Sequence, residues 1–206
     1  MEPFDGLPER KRKTRMNPLT DRAGMESTFG PDNLVTLDGV SPEVVPHEAT
    51  RVFLTQVGLP DRGGWFEAGQ CLLDGDPGIG GPEWQAVAET YPDCPFDMST
   101  WLALGGIGMD DVIVDTAAGT VYCIPDDGSP HLLNSGIDAL AHFLRALEEE
   151  RPEYDPEAAG DEGVDPEGAA ERLLHRMRQA DPAAVENPQS SWYRVLEGVR
   201  NLLQAY

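Results

Sequence analysis

The sequence lacks any apolar run long enough to cross a membrane. Spanning a bilayer takes about 18 or more consecutive apolar residues, and no stretch of this chain approaches that length. It also lacks a charged opening segment followed by an apolar one, the pattern of a secretory leader. The three cysteines are odd in number and form no CxxC pair, which argues against a disulfide framework and fits a reducing compartment. We therefore expect a cytoplasmic protein without membrane association.

Basic residues are scarce as well. The 206-residue chain has 37 acidic and 15 basic residues, for a net charge of -22, and five of the basic residues lie together at Arg10 to Lys13 and Arg15. A body of this charge repels nucleic acid and anionic lipid and attracts a basic partner. An equally good explanation of the acidity is a compositional bias that serves solubility.

No catalytic or cofactor signature stands out. The chain has no GxSxG, and its four histidines lack metal-ligand spacing, so we expect them on the surface or in the core. Gly105 to Gly108 lacks the lysine and the spacing of a phosphate loop, which favours a turn or bulge. Paired carboxylates are too frequent for any pair to be singled out as acid and base. We expect no catalytic residue, no cofactor and no metal.

The stretch from Trp101 to Leu147 organises the predicted fold. Four apolar runs, WLALG, DVIVD, TVYCI and HLL, are separated by short connections that contain Gly, Pro or Asp, as is typical of adjacent antiparallel strands. After them, a capping box from Ser135 to Asp138 predicts the start of a helix over 136–149. Its apolar stripe, expected to pack on the sheet, is Ile137, Leu140, Ala141, Leu144 and Leu147.

Shorter elements are predicted on either side. Order should begin near Phe29, with a short strand over 33–37 and a helix over 48–57 that ends at Gly58. The apolar face of that helix is predicted to be Val52, Phe53 and Val57. An extended segment or edge hairpin over 61–74, a short helix around Trp84 to Tyr91 and two C-terminal helices behind Asp165-Pro166 and Asn187-Pro188 complete the prediction.

The predicted fold class is α+β. A central mixed or antiparallel sheet is flanked by helices, and a helical extension follows. The predicted divisions are a disordered basic tail over 1–24, an α+β domain over 25–150, an acidic linker or loop over 151–168, and C-terminal helices over 169–206 that pack on the main domain.

Four structural motifs occur in a familiar order. They are a Thr-Arg-x-Phe-Leu helix closed by Gly-Leu-Pro at Thr50 to Pro60, a strand with Gly near its end at Leu104-Gly105, a strand-turn-strand at Ile113 to Tyr122, and an Asn-Ser cap at Asn134-Ser135. Over about residues 29–150 this order resembles the bacterial SUKH superfamily, and is most similar to its fourth immunity-protein subgroup. The resemblance implies an α+β domain that binds and neutralises a cognate toxin of a polymorphic or contact-dependent system, often a nuclease or nucleobase deaminase. It carries over no catalytic residue.

The leading hypothesis is a non-enzymatic immunity protein whose acidic surface meets a basic toxin and not nucleic acid. Its rivals are a metal-dependent enzyme that uses surface carboxylates and an adaptor or regulatory scaffold. The predicted contact points are the acidic pairs Asp110 with Asp111 and Asp126 with Asp127. They are expected in surface loops at opposite ends of neighbouring strands or close to them.

Overall fold

The computed structural model describes residues 19–75, 87, 89–91, 97–126, 129–160 and 163–202. Within these residues the helices are α1 (Arg22–Phe29), α2 (Glu48–Val52), α3 (Gln70–Leu73), α4 (Ile137–Tyr154), α5 (Pro156–Ala159), α6 (Pro166–Ala180) and α7 (Ser191–Asn201). The strands are β1 (Leu34–Val35), β2 (Leu59–Pro60), β3 (Arg62–Gly63), β4 (Phe66–Ala68), β5 (Trp101–Ile107), β6 (Asp110–Asp115), β7 (Val121–Ile124) and β8 (His131–Asn134). Short 3-10 turns span Pro31–Asn33, Met98–Thr100 and Pro182–Val185.

The strands β3 to β8 form one antiparallel sheet in chain order, and β1 pairs with β2 in a second, smaller sheet. The predicted strands of the central stretch and the α+β class are confirmed. The turn between β6 and β7 is fixed by Asp115, whose Oδ1 accepts bonds from the backbone N–H groups of Ala117 at 2.8 Å and Ala118 at 3.0 Å. The predicted bulge is also present, because the β5–β6 register shifts between Ala103 and Gly105.

The inner face of the sheet packs against α4 as the period of the apolar stripe predicted. All five stripe residues are buried, and so is Phe143. The helix runs five residues beyond its predicted end, to Tyr154, and α5 follows it, so the predicted loop over 151–168 is wrong in its first part. The extension is held by Tyr154, whose hydroxyl donates to Leu147 O at 3.1 Å and accepts from Trp65 Nε1 at 3.1 Å.

The start of α4 differs from the prediction. Its N-cap is Gly136, with no side-chain cap, so the predicted capping box of Ser135 and Asp138 is wrong. Other groups hold these two residues. The Ser135 N–H donates to Asp181 Oδ2 at 2.7 Å, and Asp138 Oδ2 accepts from Leu19 N at 3.4 Å. Contacts distant in sequence therefore replace the local cap.

The N-terminal helices also depart from the prediction. Order begins before Phe29, because α1 starts at Arg22 and buries Met25. The helix α2 continues as a π-helical turn over Phe53–Val57. Val52, which was predicted to lie on the apolar face, is 40% exposed, and Leu54 is buried instead. Gly58 ends it with a φ of 84°, as predicted for a residue that must take the positive-φ conformation.

The C-terminal helices pack on the inner face together with α4. Asp165 caps α6 as predicted and accepts from Gly168 N at 3.0 Å. The start of α7 lies at Ser191, capped by Ser190, and not at Asn187-Pro188. Trp192 of α7 is fully buried, and its Nε1 donates to Leu133 O at 3.1 Å. A single apolar core therefore joins the sheet, α4, α6 and α7.

A smaller apolar cluster lies on the outer face of the sheet. Its buried members are Met98, Trp101, Ile113 and Ile124. Trp101 stacks on Tyr122, with ring centroids 5.4 Å apart. Val87 and Tyr91 of the predicted short helix pack against this cluster, whereas its Trp84 lies outside the described residues.

Candidate partner-binding site

Three of the four predicted acidic contact points, Asp110, Asp111 and Asp126, lie at one end of the sheet. Asp110 opens β6, and Asp111 pairs with Ile124, the last residue of β7. Asp126 follows two residues later, so it lies at the same end as Asp110 and Asp111. The antiparallel pairing of β6 and β7 brings the start of one strand beside the end of the other. Asp110 and Asp126 therefore belong to opposite chain ends of neighbouring strands but lie at the same end of the sheet. Asp127 lies outside the described residues.

Asp110 is an internal anchor and not a surface group, with only 7% of the residue exposed. Its Oδ2 accepts from Arg194 Nη2 and, at 3.1 Å, from Ser191 Oγ. Its Oδ1 accepts from the Asp126 backbone N–H at 3.3 Å. One carboxylate thus ties the start of β6 to the loop after β7 and to α7, and it satisfies the rule that a buried charge must be paired.

Three further side chains surround Ser191, which is 2% exposed. Besides Arg194, His131 Nε2 lies 3.3 Å from Ser191 Oγ and Cys123 Sγ lies 3.2 Å from it. Burial raises the pKa of the Cys123 thiol to about 12, so the sulfur is protonated at neutral pH and is a poor nucleophile.

The serine and histidine do not form a hydrolase triad with Asp110. In such a triad the carboxylate bonds to the histidine ring. Here Asp110 bonds to the serine and to Arg194, while His131 Nδ1 faces the Ser129 carbonyl at 3.2 Å. Because a carbonyl only accepts, Nδ1 carries a hydrogen and donates it to Ser129 O. Ser191 has one hydroxyl hydrogen and donates it to Asp110 Oδ2, so it donates none to His131. The network holds elements together and presents no accessible nucleophile.

A groove of about 660 Å³ opens beside this network, between the β7–β8 loop and the start of α7. It is lined by Pro125, Ser129, Pro130, His131, Asn187, Pro188, Gln189, Ser190, Tyr193, Arg194 and Glu197. The Tyr193 hydroxyl donates to Val185 O at 2.9 Å, which fixes one wall. Arg194, the arginine of the lining, is paired with Asp110.

The turn between β5 and β6 projects the most exposed large apolar side chain of the described residues. Met109 is 80% exposed, and Gly108 before it supplies the positive φ, 62°, of the turn. Asp111 and Asp126 are both exposed on either side of the buried Asp110. Desolvation, together with the charge of Asp110, raises the pKa of Asp111.

Charge is divided unevenly between the sheet and the helices. From residue 63 to residue 144 the chain has thirteen Asp and Glu but no Lys or Arg, and this segment contains β4 to β8. Five arginines lie on the C-terminal helices α6 and α7, and several of them pair with carboxylates of α4, α6 and α7. Examples are Arg172 with Glu150, Arg176 with Glu149 and Arg200 with Glu167. The segment that contains these strands therefore supplies no cation of its own, and its Asp110 is paired with Arg194 of α7.

Other kinds of site find no support in the described part of the chain. No group of three or more His, Cys, Asp or Glu is placed to hold a metal ion there. Gly105 to Gly108 forms part of β5 and its turn, as predicted. None of the described helices has both the length and the apolarity needed to cross a membrane.

The acidic pairs were predicted from the sequence, but the contacts that organise this end of the sheet were not. Ser191 and Arg194 lie 81 and 84 residues from Asp110, so no local spacing connects them. His131 was expected to be a surface or core group, and only its neighbourhood in space shows that it belongs to this network.

Comparison with known proteins gives one match. A family model described as SUKH-4 immunity protein matches residues 20–198, a range that includes α6, most of α7 and the residues that line the groove. No curated protein and no solved structure shows significant similarity to the chain.

Proposed function

Because the chain belongs to the SUKH-4 immunity protein family, we propose that it neutralises its cognate toxin by binding, with the acidic end of its sheet facing a basic surface of the toxin. The family implies a toxin as the partner. The mode of action and the class of toxin are the proposed parts.

The observation that carries the proposal is the absence of Lys and Arg from residues 63–144. Uncompensated charge on one side of a protein steers an oppositely charged partner toward that side and raises the association rate. The arginines that would weaken this field are held in ion pairs on the helices, for example Arg172 with Glu150. The sheet side is therefore the side that a basic domain meets first.

The proposed toxin class is a nuclease or nucleobase deaminase that acts on nucleic acid. Such enzymes need a positive surface to hold phosphates, and an acidic protein that covers this surface excludes the substrate. The same negative charge prevents the chain itself from binding nucleic acid, because duplex phosphates repel it.

Non-catalytic action is supported by the chemistry of the polar network. Ser191 is buried, its neighbouring carboxylate does not bond to the histidine ring, and the Cys123 thiol is protonated at neutral pH. The groups that are best placed for chemistry instead hold β6, β7 and α7 together.

The test uses the C-terminal domain of a large protein encoded beside the gene of this chain, here named the test toxin. Its association and dissociation rate constants with the full chain are measured between about 50 and 500 mM salt. We expect the association rate to fall steeply with salt and the dissociation rate to change little, since steering acts over a Debye length of about 8 Å at physiological salt. Absence of binding, or an association rate that does not depend on salt, contradicts the proposal.

A further inference from the structure

We infer that Met109 and the adjacent groove form the docking centre of the partner interface, and that they fit a basic protein surface with an apolar depression at its middle. This inference rests on the proposed function and specifies where binding occurs and what the partner must present. The surface is named here the Met109 surface. It consists of Met109, Asp111, Asp126 and the groove between the β7–β8 loop and α7.

The exposure of Met109 has no explanation within the fold. The turn needs a residue with positive φ, and Gly108 provides it. The position after it faces solvent, yet it holds a large apolar side chain that is 80% exposed. Among the described residues, the other exposed large apolar side chains are between 37% and 49% exposed. Methionine is flexible and polarisable and adapts to the shape of a partner pocket, which makes Met109 an apolar anchor for an interface.

Met109 is followed by a residue that hydrogen bonds hold in place. Asp110, the next residue, bonds to Arg194, to Ser191 and to the Asp126 backbone N–H. The turn, Asp126 and the start of α7 are therefore held relative to one another before a partner arrives. A surface ordered in advance loses less conformational freedom on binding.

The charge around the anchor selects a basic partner. Asp111 and Asp126 are exposed, and neither side chain forms an ion pair with another described residue. Arg194 of the groove is already paired with Asp110, which leaves the rim negative. A partner that places an apolar depression over Met109, with lysine or arginine around it, complements both the apolar side chain and the negative charge. A neutral or acidic surface with such a depression complements only the apolar side chain.

The experiment separates the anchor from the rim by means of matched variants. Met109→Ala is compared with Val52→Ala, which truncates another exposed apolar residue. Asp111→Asn is compared with Glu48→Gln. The controls belong to α2, whose N-terminus packs at the opposite end of the sheet, where His47 N donates to Thr116 O at 2.9 Å. Binding of the test toxin to each full-length variant is followed by association and dissociation rates at low and high salt.

We expect Met109→Ala to raise the dissociation rate by roughly tenfold or more, as for an interface hot spot, and to leave the association rate and thermal midpoint almost unchanged. Asp111→Asn should lower the association rate at low salt and flatten its salt dependence. The two controls should match the wild type.

If the wild type binds the test toxin but Met109→Ala dissociates as slowly as Val52→Ala, the docking centre lies elsewhere and the inference is wrong while the proposed function stands. If the wild type does not bind the test toxin at all, the proposed function itself is wrong.

Discussion

Replacement of Asp110 by asparagine should destabilise the protein although the two side chains have nearly the same shape. The carboxylate is 7% exposed and accepts from Arg194, Ser191 and the Asp126 backbone N–H. The asparagine side chain has one oxygen that accepts hydrogen bonds, and in place of the second oxygen it has an NH₂ group. This NH₂ group would face another hydrogen-bond donor. Hydrogen bonds to a charged group contribute about 1.5 to 3 kcal/mol each. The Arg194 side chain is 52% exposed, so in the variant it forms hydrogen bonds with water that offset part of the lost energy. We expect a net loss of about 2 to 3 kcal/mol.

Urea unfolding at pH 7 measures this loss as a shift of the midpoint at constant slope. Asp126→Asn is the matched control. It removes the same charge at the same end of the sheet from an exposed side chain, and it should change the free energy of unfolding by less than about 0.5 kcal/mol. A result for Asp110→Asn that lies within that margin of the wild type would show that the buried network does not hold the three segments together.

Four further changes test other parts of the structure. Leu144→Ala, in the buried stripe of α4, should cost about 2 to 5 kcal/mol in urea unfolding, and a smaller cost would contradict the packing described for α4. Gly58→Ala should cost more than about 1 kcal/mol, because φ is 84° and the new Cβ would lie 2.6 Å from Val35 O; an unchanged midpoint would argue against this conformation. The Cys123 thiol, with its pKa raised to about 12, should resist alkylation at pH 8 until the protein unfolds, and mass spectrometry would reveal any earlier labelling. Asp111→Asn should stabilise the protein slightly at pH 7, by less than about 1 kcal/mol. The pKa of Asp111 is raised from 3.8 by desolvation and by the charge of Asp110, so its ionised form is less favourable in the folded than in the unfolded state. The gain should shrink as the pH falls through the folded-state pKa and vanish well below pH 3.8, where both states are protonated. A gain of the same size at pH 3 would show another cause.

The parts of the fold that were predicted from the sequence depend on local periodicity. The strands β5 to β8 alternate around turns that are rich in Gly and Asp, and the stripe of α4 recurs at helical spacing, so both are encoded within about 15 neighbouring residues. Asp165 before Pro166 specifies the start of α6 in the same local way.

The parts that could not be predicted depend on contacts distant in the sequence. The last turn of α4 is fixed when Tyr154 bonds to Trp65, 89 residues away. The Ser135 N–H bonds to Asp181, so a spacing typical of a helix cap does not act as one. The π-helical turn after α2 changes which residues are buried, and no residue pattern in that segment predicts it.

The candidate site shows the same division. The acidic pairs were recognised from composition alone, but their roles depend on the tertiary structure. Asp110 turns inward to Arg194 and Ser191, while Asp111 and Asp126 remain on the surface. Adjacent residues of a strand point to opposite faces. Once the inner face of β6 is known, it follows that Asp110 is buried and Asp111 is exposed.

The central claim is that the chain neutralises its toxin by remaining bound to it. A fixed amount of the test toxin is titrated with the full chain, and residual toxin activity is measured immediately and after a long incubation. Binding predicts that activity falls in proportion to added chain, reaches its minimum at a fixed stoichiometric ratio, does not change with incubation time and returns when the two proteins are separated. Inactivation by far less than one equivalent of chain, progressing with time and persisting after the two proteins are separated, would show that the chain acts as an enzyme and would contradict the account.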